Sequence, residues 1–236
     1  MTFIDIEVLK LIGGDDRMKN KTKLIVLITI YLFCVTISLF VQIIIDKPII
    51  HWGIIISVIT FMVLIPIIKV IKEFLISKRL MNNISENNYQ EVHKISKEAK
   101  FLHNNKLSLY EQQICYFLAV FFYENNDPDY FKYYISKITN KKIIAFKYFW
   151  KSLIACNIND NEKFNKKYEL FIKNKCLYKR WQGAYKEYAE ILKLLSDYTN
   201  SNALNVEKFN YYKNKVTFKI LRELFTRIEV SVSAPR

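Results

Sequence analysis

Glycine and proline are scarce, with four of each in 236 residues. Both punctuate secondary structure, so their scarcity excludes a turn-rich fold and favours long helices. Histidine occurs only at His51, His93 and His103. His93 and His103 lie too far apart in sequence to put two ligands on one helix face, so no metal site is expected. The four cysteines, Cys34, Cys115, Cys156 and Cys176, form no C-x-x-C pair. That argues against zinc and suits buried thiols in a reducing cytoplasm. The sequence has no phosphate-binding G-x-x-x-x-G-K-[ST], no G-x-G-x-x-G, no G-x-S-x-G and no H-E-x-x-H, so neither a cofactor nor an enzyme activity is expected. Glu124, Asp127, Asp129, Asp160 and Glu162 lie near predicted helix ends. At helix starts, acids are explained by the macrodipole better than by acid–base catalysis.

Charge is also missing from two long stretches. The first opens at Leu24 and closes at Ile45 without one charged residue. At about 1.5 Å per residue it reaches about 33 Å, enough to cross a bilayer core of about 30 Å. Asp46-Lys47-Pro48 interrupts it. The second runs over residues 49–68, with His51 and Trp52 at its start, where an amphipathic ring suits the headgroup level, and Ile68 at its end. The pair reads as a tight transmembrane hairpin. Arg17, Lys19, Lys21 and Lys23 precede it, and Lys69, Lys72, Lys78 and Arg79 follow it. The positive-inside rule then puts both termini in the cytoplasm of a multi-pass cell-membrane protein. A cleaved signal peptide, with Met18 as an alternative start, is the rival reading. The apolar run is longer than a usual signal core and no A-x-A site follows, so a retained anchor is expected. With no Asp, Glu, Lys or Arg inside either run, the hairpin reads as an anchor rather than an ion path. Beyond Pro66, apolar residues interspersed with Lys69, Lys72 and Lys78 predict an amphipathic exit helix.

The formal net charge is +14, and most of it follows Arg79, where 26 Lys or Arg face 16 Asp or Glu. A basic domain beside a membrane is drawn to anionic lipid or to nucleic acid. The abundance of Lys, Asn, Ile, Tyr and Phe also fits the coding bias of an AT-rich bacterial genome. Nucleic acid is therefore the disfavoured partner.

After a polar linker at residues 81–88, apolar residues recur with a helical period. They predict helices at about 89–103, 108–124, 128–138, 141–156, 161–173, 178–198 and 206–229, then a frayed tail from Ser231. Asn126-Asp-Pro-Asp-Tyr-Phe131 aligns with Asn159-Asp-Asn-Glu-Lys-Phe164 at a spacing of 33, and Glu207-Lys-Phe209-Asn echoes Glu162-Lys-Phe164-Asn. A period near 34 built from helix–turn–helix units resembles tetratricopeptide repeats over residues 107–173. Asp160, Glu162 and Lys163 match that family's Gly-Asp-Tyr-Glu-Lys-Ala turn. Phe131 and Phe164 depart from it, standing where the family has a small Ala, and Tyr148, Lys151 and Ser152 replace its Trp, Leu and Gly. The resemblance implies a stacked-helix surface that binds proteins or peptides.

Lys179, Arg180, Trp181 and Tyr185 form the densest basic–aromatic stretch and are the candidate interaction surface. Their spacing also suits a helix that turns Trp181, Tyr185 and Tyr188 inward and its lysines outward.

The expected architecture is all-α. Residues 1–23 form a cytoplasmic N-terminal segment and 24–79 the transmembrane hairpin with its exit helix. Residues 80–236 form a cytoplasmic helical, repeat-like domain. The expected function is a membrane-anchored, non-enzymatic adaptor or scaffold with a protein or peptide partner. Two alternatives are an immunity-type self-protection protein against a peptide toxin, and a basic tether for nucleic acid or anionic lipid.

Overall fold

A computed structural model describes residues 50–201 and 204–233, together with Thr29, Phe33, Thr36 and Ile37; of residues 50–63 and Ser233 it describes the backbone alone. Among the described residues the fold is all-α, with no strand. The helices are α1 (Ile50–Ser85), α2 (Tyr89–Glu98), α3 (Leu109–Glu124), α4 (Pro128–Ser136), α5 (Ile144–Asn157), α6 (Asn161–Lys173), α7 (Gln182–Ser201), α8 (Val206–Lys215) and α9 (Lys219–Ser233). Short 3-10 turns at Lys100–His103 and Lys179–Trp181 precede α3 and α7.

The helices pair as hairpins, and one turn recurs in three of them. Asn87, Asn126 and Asn159 adopt φ of 54°, 59° and 57°. Each is followed by a residue whose side chain caps the next helix: Asn88 to Glu91 N, Asp127 to Tyr130 N, Asp160 to Lys163 N. The amides of these caps bond back to Asn83 O at 2.9 Å, Phe122 O at 2.8 Å and Ala155 O at 3.0 Å. This is the Schellman arrangement, closed by asparagine, whose short polar side chain tolerates the left-handed region. It explains how a glycine-poor chain makes tight helix–helix turns. The repeat seen at Asn126 and Asn159 therefore begins one hairpin earlier, at Asn87.

That finding corrects the linker at residues 81–88. The polar stretch continues α1 to Ser85 and then turns, with Leu80 and Ile84 buried in the core. The helix expected at 89–103 ends at Glu98 and gives way to the 3-10 turn that buries Phe101 and Leu102. The helix expected at 206–229 is two helices. The chain breaks at Val216, which is extended (φ −75°, ψ 135°), so that Val216 and Phe218 are both buried. Ser231 and Val232 belong to α9 rather than to a tail.

Successive hairpins stack in register. Bonds join them at separations of 34 to 38 residues: Tyr89 Oη to Asp127, Lys137 Nζ to His103 O, and Cys176 Sγ to Lys142 O. The core is aromatic. Trp150, Phe149, Phe164 and Tyr134 are completely buried. Phe149 stacks on Tyr188 at 4.0 Å between centroids, and Phe131 meets Tyr123 at 5.1 Å. Phe131 and Phe164 thus fill the interface where the tetratricopeptide pattern has alanine. Gln112, buried, accepts from Thr139 N and Asn140 N at 2.8 Å each and donates to Leu107 O at 2.9 Å, clamping two connections. α9 crosses the far ends of α3 and α5. Lys219 Nζ reaches Asn126 Oδ1 at 2.6 Å, and Arg227 donates to Asn157 O at 2.6 Å and Cys156 O at 3.0 Å.

Over the described residues, no helix is long and apolar enough to cross a membrane. The first apolar run, from Leu24 to Ile45, lies outside the described residues apart from Thr29, Phe33, Thr36 and Ile37. So do the side chains of the second run as far as residue 63, Trp52 included.

Candidate functional site

α1 has two parts. From Ser77 onward it packs into the domain. Ser77 and Leu80 are buried, the Tyr110 hydroxyl of α3 hydrogen-bonds Ser77, and Arg79 pairs with Glu91 of α2 at 2.8 Å. Before that point it stands clear. Ile65 and Ile68 are each 61% exposed, and Val70, Ile71 and Leu75 are exposed as well. At about 100° per residue, Ile65, Ile68, Ile71 and Leu75 fall within about 120° of one another, and Val70 lies on another side. No hinge separates the two parts, since the helix continues through Pro66 to Ser85. At about 1.5 Å per residue, its 36 residues form a rod of about 54 Å.

The four candidate interaction residues divide. Lys179 is exposed and Arg180 half-buried. Trp181 is core: it lies 4.8 Å from Phe146 and 5.2 Å from Tyr116 between ring centroids. Tyr185 is half-buried and stacks on Phe171 at 4.8 Å. Burial pushes its phenol up from the ordinary tyrosine value. Trp181, Tyr185 and Tyr188 thus turn inward. What stays outside is a basic loop, Lys175 and Lys179 flanking Leu177, which is 65% exposed.

That loop has neighbours of its own kind. The three connections between hairpins, residues 99–108, 137–143 and 174–181, contain no Asp or Glu and carry two, three and three Lys or Arg. They lie side by side, held by Lys137 Nζ to His103 O at 3.3 Å and by Cys176 Sγ to Lys142 O at 3.3 Å. Only the third connection contains part of the basic–aromatic stretch at Lys179, Arg180, Trp181 and Tyr185. The other two are separated from it along the chain and meet it only through the stacking.

Among the described residues, His93, His103, two of the thiols and the capping carboxylates serve the structure. In the neutral His103 ring, Nε2 donates to Ser96 O at 3.0 Å and Nδ1 accepts from the Tyr133 hydroxyl at 2.6 Å. His93 packs against Tyr130 at 4.8 Å. Burial pushes the Cys115 thiol up to about 12 and the Cys156 thiol to about 11. Asp127 and Asp160 cap helices. Among the described residues, no group of three His, Cys, Asp or Glu is placed to hold a metal. An open groove of about 530 Å³ along α9 is lined by Lys219, Arg222, Glu223, Thr226, Arg227 and Val230. Two of those cations already serve as the ties that hold α9 down.

These features define an all-α stack of helical hairpins on a projecting apolar helix. No family model, curated protein or solved structure matches the chain.

Proposed function

We propose that this chain is a membrane-anchored, non-enzymatic adaptor. The apolar runs at 24–45 and 49–68 form a hairpin in the cell membrane with both termini cytoplasmic. The helical domain after Arg79 offers a protein- or peptide-binding surface there. The carrying observation is the exposed stem of α1, with Ile65, Ile68, Val70, Ile71 and Leu75 uncovered on a helix that continues without a break into the domain. Such a helix in water exposes more contiguous apolar surface than a soluble monomer ordinarily tolerates. Lys69 and Lys72 sit on it where the headgroups of the cytoplasmic leaflet would lie. The tetratricopeptide-like repeat supports the binding role, because stacked hairpins present extended side surfaces. Structural use of His93, His103, Cys115, Cys156 and the capping carboxylates supports a non-catalytic one.

Alkaline carbonate extraction tests the anchor. The chain is expected to stay with the membrane fraction. An impermeant maleimide is expected to label Asp46→Cys in intact cells and to label Ser201→Cys only after lysis. Release by carbonate, or the reverse labelling, overturns the reading. In-cell crosslinking followed by mass spectrometry tests the adaptor role, which falls if no protein or peptide is captured.

A further inference from the structure

We propose that the three connections at one end of the hairpin stack form a docking face for anionic lipid headgroups, so that the domain lies against the membrane rather than hanging from it. This inference rests on the membrane-anchored reading above and adds the orientation of the domain and the chemistry of its contact.

The two ends of the stack differ in charge. One end holds the tips within hairpins, residues 86–88, 125–127 and 158–160. Each tip carries one acid (Glu86, Asp127, Asp160) and no Lys or Arg of its own, while Lys219 and Arg227 of α9 bond at the second tip and just before the third. The other end holds the connections between hairpins, which carry eight Lys or Arg and no acid of their own, with Glu111 of α3 reaching back to Ser108 N. Lys100, Lys106, Lys141, Lys142, Lys175 and Lys179 are all exposed there. The helix macrodipole does not produce this segregation. Each end contains both helix starts and helix ends, so the rule that places acids at starts and cations at ends acts on both alike.

The stem of α1 leaves at the basic end. Ser77 is level with Tyr110, in the first turn of α3, while Asn87 bonds Asn125, just past its last turn. α1 therefore runs alongside α3 in the same direction, and its exposed apolar part projects past the start of α3, where the first connection lies. Lys69 precedes Ser77 by eight residues, or about 12 Å of helix. A membrane surface at Lys69 would thus sit about one Debye length, roughly 10 Å at 0.1 M salt, from the basic connections. The α1 helix is continuous across that gap, so the face is held toward the bilayer. Leu177 adds an apolar contact. It is 65% exposed between Lys175 and Lys179, an arrangement suited to the boundary between headgroups and acyl chains. A phosphodiester backbone would meet the lysines but leave Leu177 in water, which favours lipid over nucleic acid.

The test uses the full chain in nanodiscs of phosphatidylcholine alone or with phosphatidylserine, read by amide hydrogen exchange. Exchange at residues 99–108, 137–143 and 174–181 is expected to slow several-fold in the anionic discs only. The slowing is expected to vanish at high salt and in a K142E/K175E/K179E variant whose urea midpoint is unchanged. Equal exchange in the two discs, with the chain still resisting carbonate extraction, overturns the docking face and leaves the anchor standing. Release by carbonate overturns both. Slowing of the same residues by a single-stranded oligonucleotide, with none from phosphatidylserine, assigns the face to nucleic acid and overturns the lipid proposal.

Discussion

Both carboxylate oxygens of Glu124 lie 3.0 Å from the backbone nitrogen of Lys219, across 95 residues of sequence. The last residue of α3 thereby caps the first of α9. The local sequence offers α9 no Ser, Thr, Asp or Asn immediately before Lys219 except Thr217, and Phe218 is drawn into the core. The cap is supplied through tertiary structure, and its charge also suits the positive end of the helix.

Removing that cap is expected to be felt throughout α9. Glu124→Ala should lower stability by about 0.5–2 kcal/mol, the range for losing a helix cap. Glu124→Gln retains one acceptor and should fall between the variant and the parent. Urea unfolding of the detergent-solubilised chain measures both, and an unchanged midpoint for Glu124→Ala would show that the contact is not a cap.

The hairpin turns make a second prediction. Asn159 has φ of 57° and is exposed. Asn159→Gly should be close to neutral, since glycine accepts the left-handed region freely. Asn159→Val should cost about 1–2 kcal/mol, because a β-branched side chain crowds the carbonyl there. The comparison of the two thermal midpoints isolates backbone conformation from any side-chain contact.

The Tyr89 hydroxyl donates to Asp127 at 2.7 Å, and the same carboxylate caps α4 through Tyr130 N at 3.2 Å. The hydrogen bond to Asp127, with burial second, holds the Tyr89 phenol up at about 12. A raised folded-state value means the neutral phenol is favoured by folding. Its contribution is therefore complete below pH 10, the ordinary value, and is lost as pH rises toward about 12. Ultraviolet titration should show one tyrosine fewer ionising late in Tyr89→Phe. The parent should lose stability over that window faster than the variant.

Gln112 offers a sharper stability test. Its side chain accepts two backbone amides, and its removal orphans both Thr139 N and Asn140 N. Gln112→Ala should cost about 1–2 kcal/mol, from the hydrogen bonds lost to two part-buried amides and the space left behind. Amide exchange at Thr139 and Asn140 should quicken more than at residues of α6, whereas uniform quickening would indicate global loosening instead.

The thiols predict chemical silence. With Cys115 at about 12 and Cys156 at about 11, burial being the first cause of each shift, neither is appreciably ionised at pH 8. Peptide mapping after maleimide treatment at that pH should find both unmodified in the native chain and modified after denaturation. Labelling of either in the native state would contradict its burial.

The helical class was legible because scarce glycine and proline and a helical apolar period act locally. Ser108, Asp127 and Asp160 were legible as helix starts for the same reason, since a cap bonds to an amide three residues away. The repeat was half-legible. Asn126 and Asn159 share neighbours, whereas Asn87 lies in a polar stretch whose helical state depends on Leu80 and Ile84 reaching the core. The break at Val216 was hidden, because a helical period runs through it and only the burial of Phe218 and the reach of Glu124 from α3 decide it. Trp181 was legible in part: its spacing from Tyr185 and Tyr188 turns all three inward, and Phe146 and Tyr116 are what close over it. The all-α class, the two uncharged runs and the capped starts at Ser108, Asp127 and Asp160 follow from near neighbours along the chain. Only the tertiary structure decided that three basic connections, separated along the chain, share one end with the apolar stem. Stacking the hairpins in register is what brings them together.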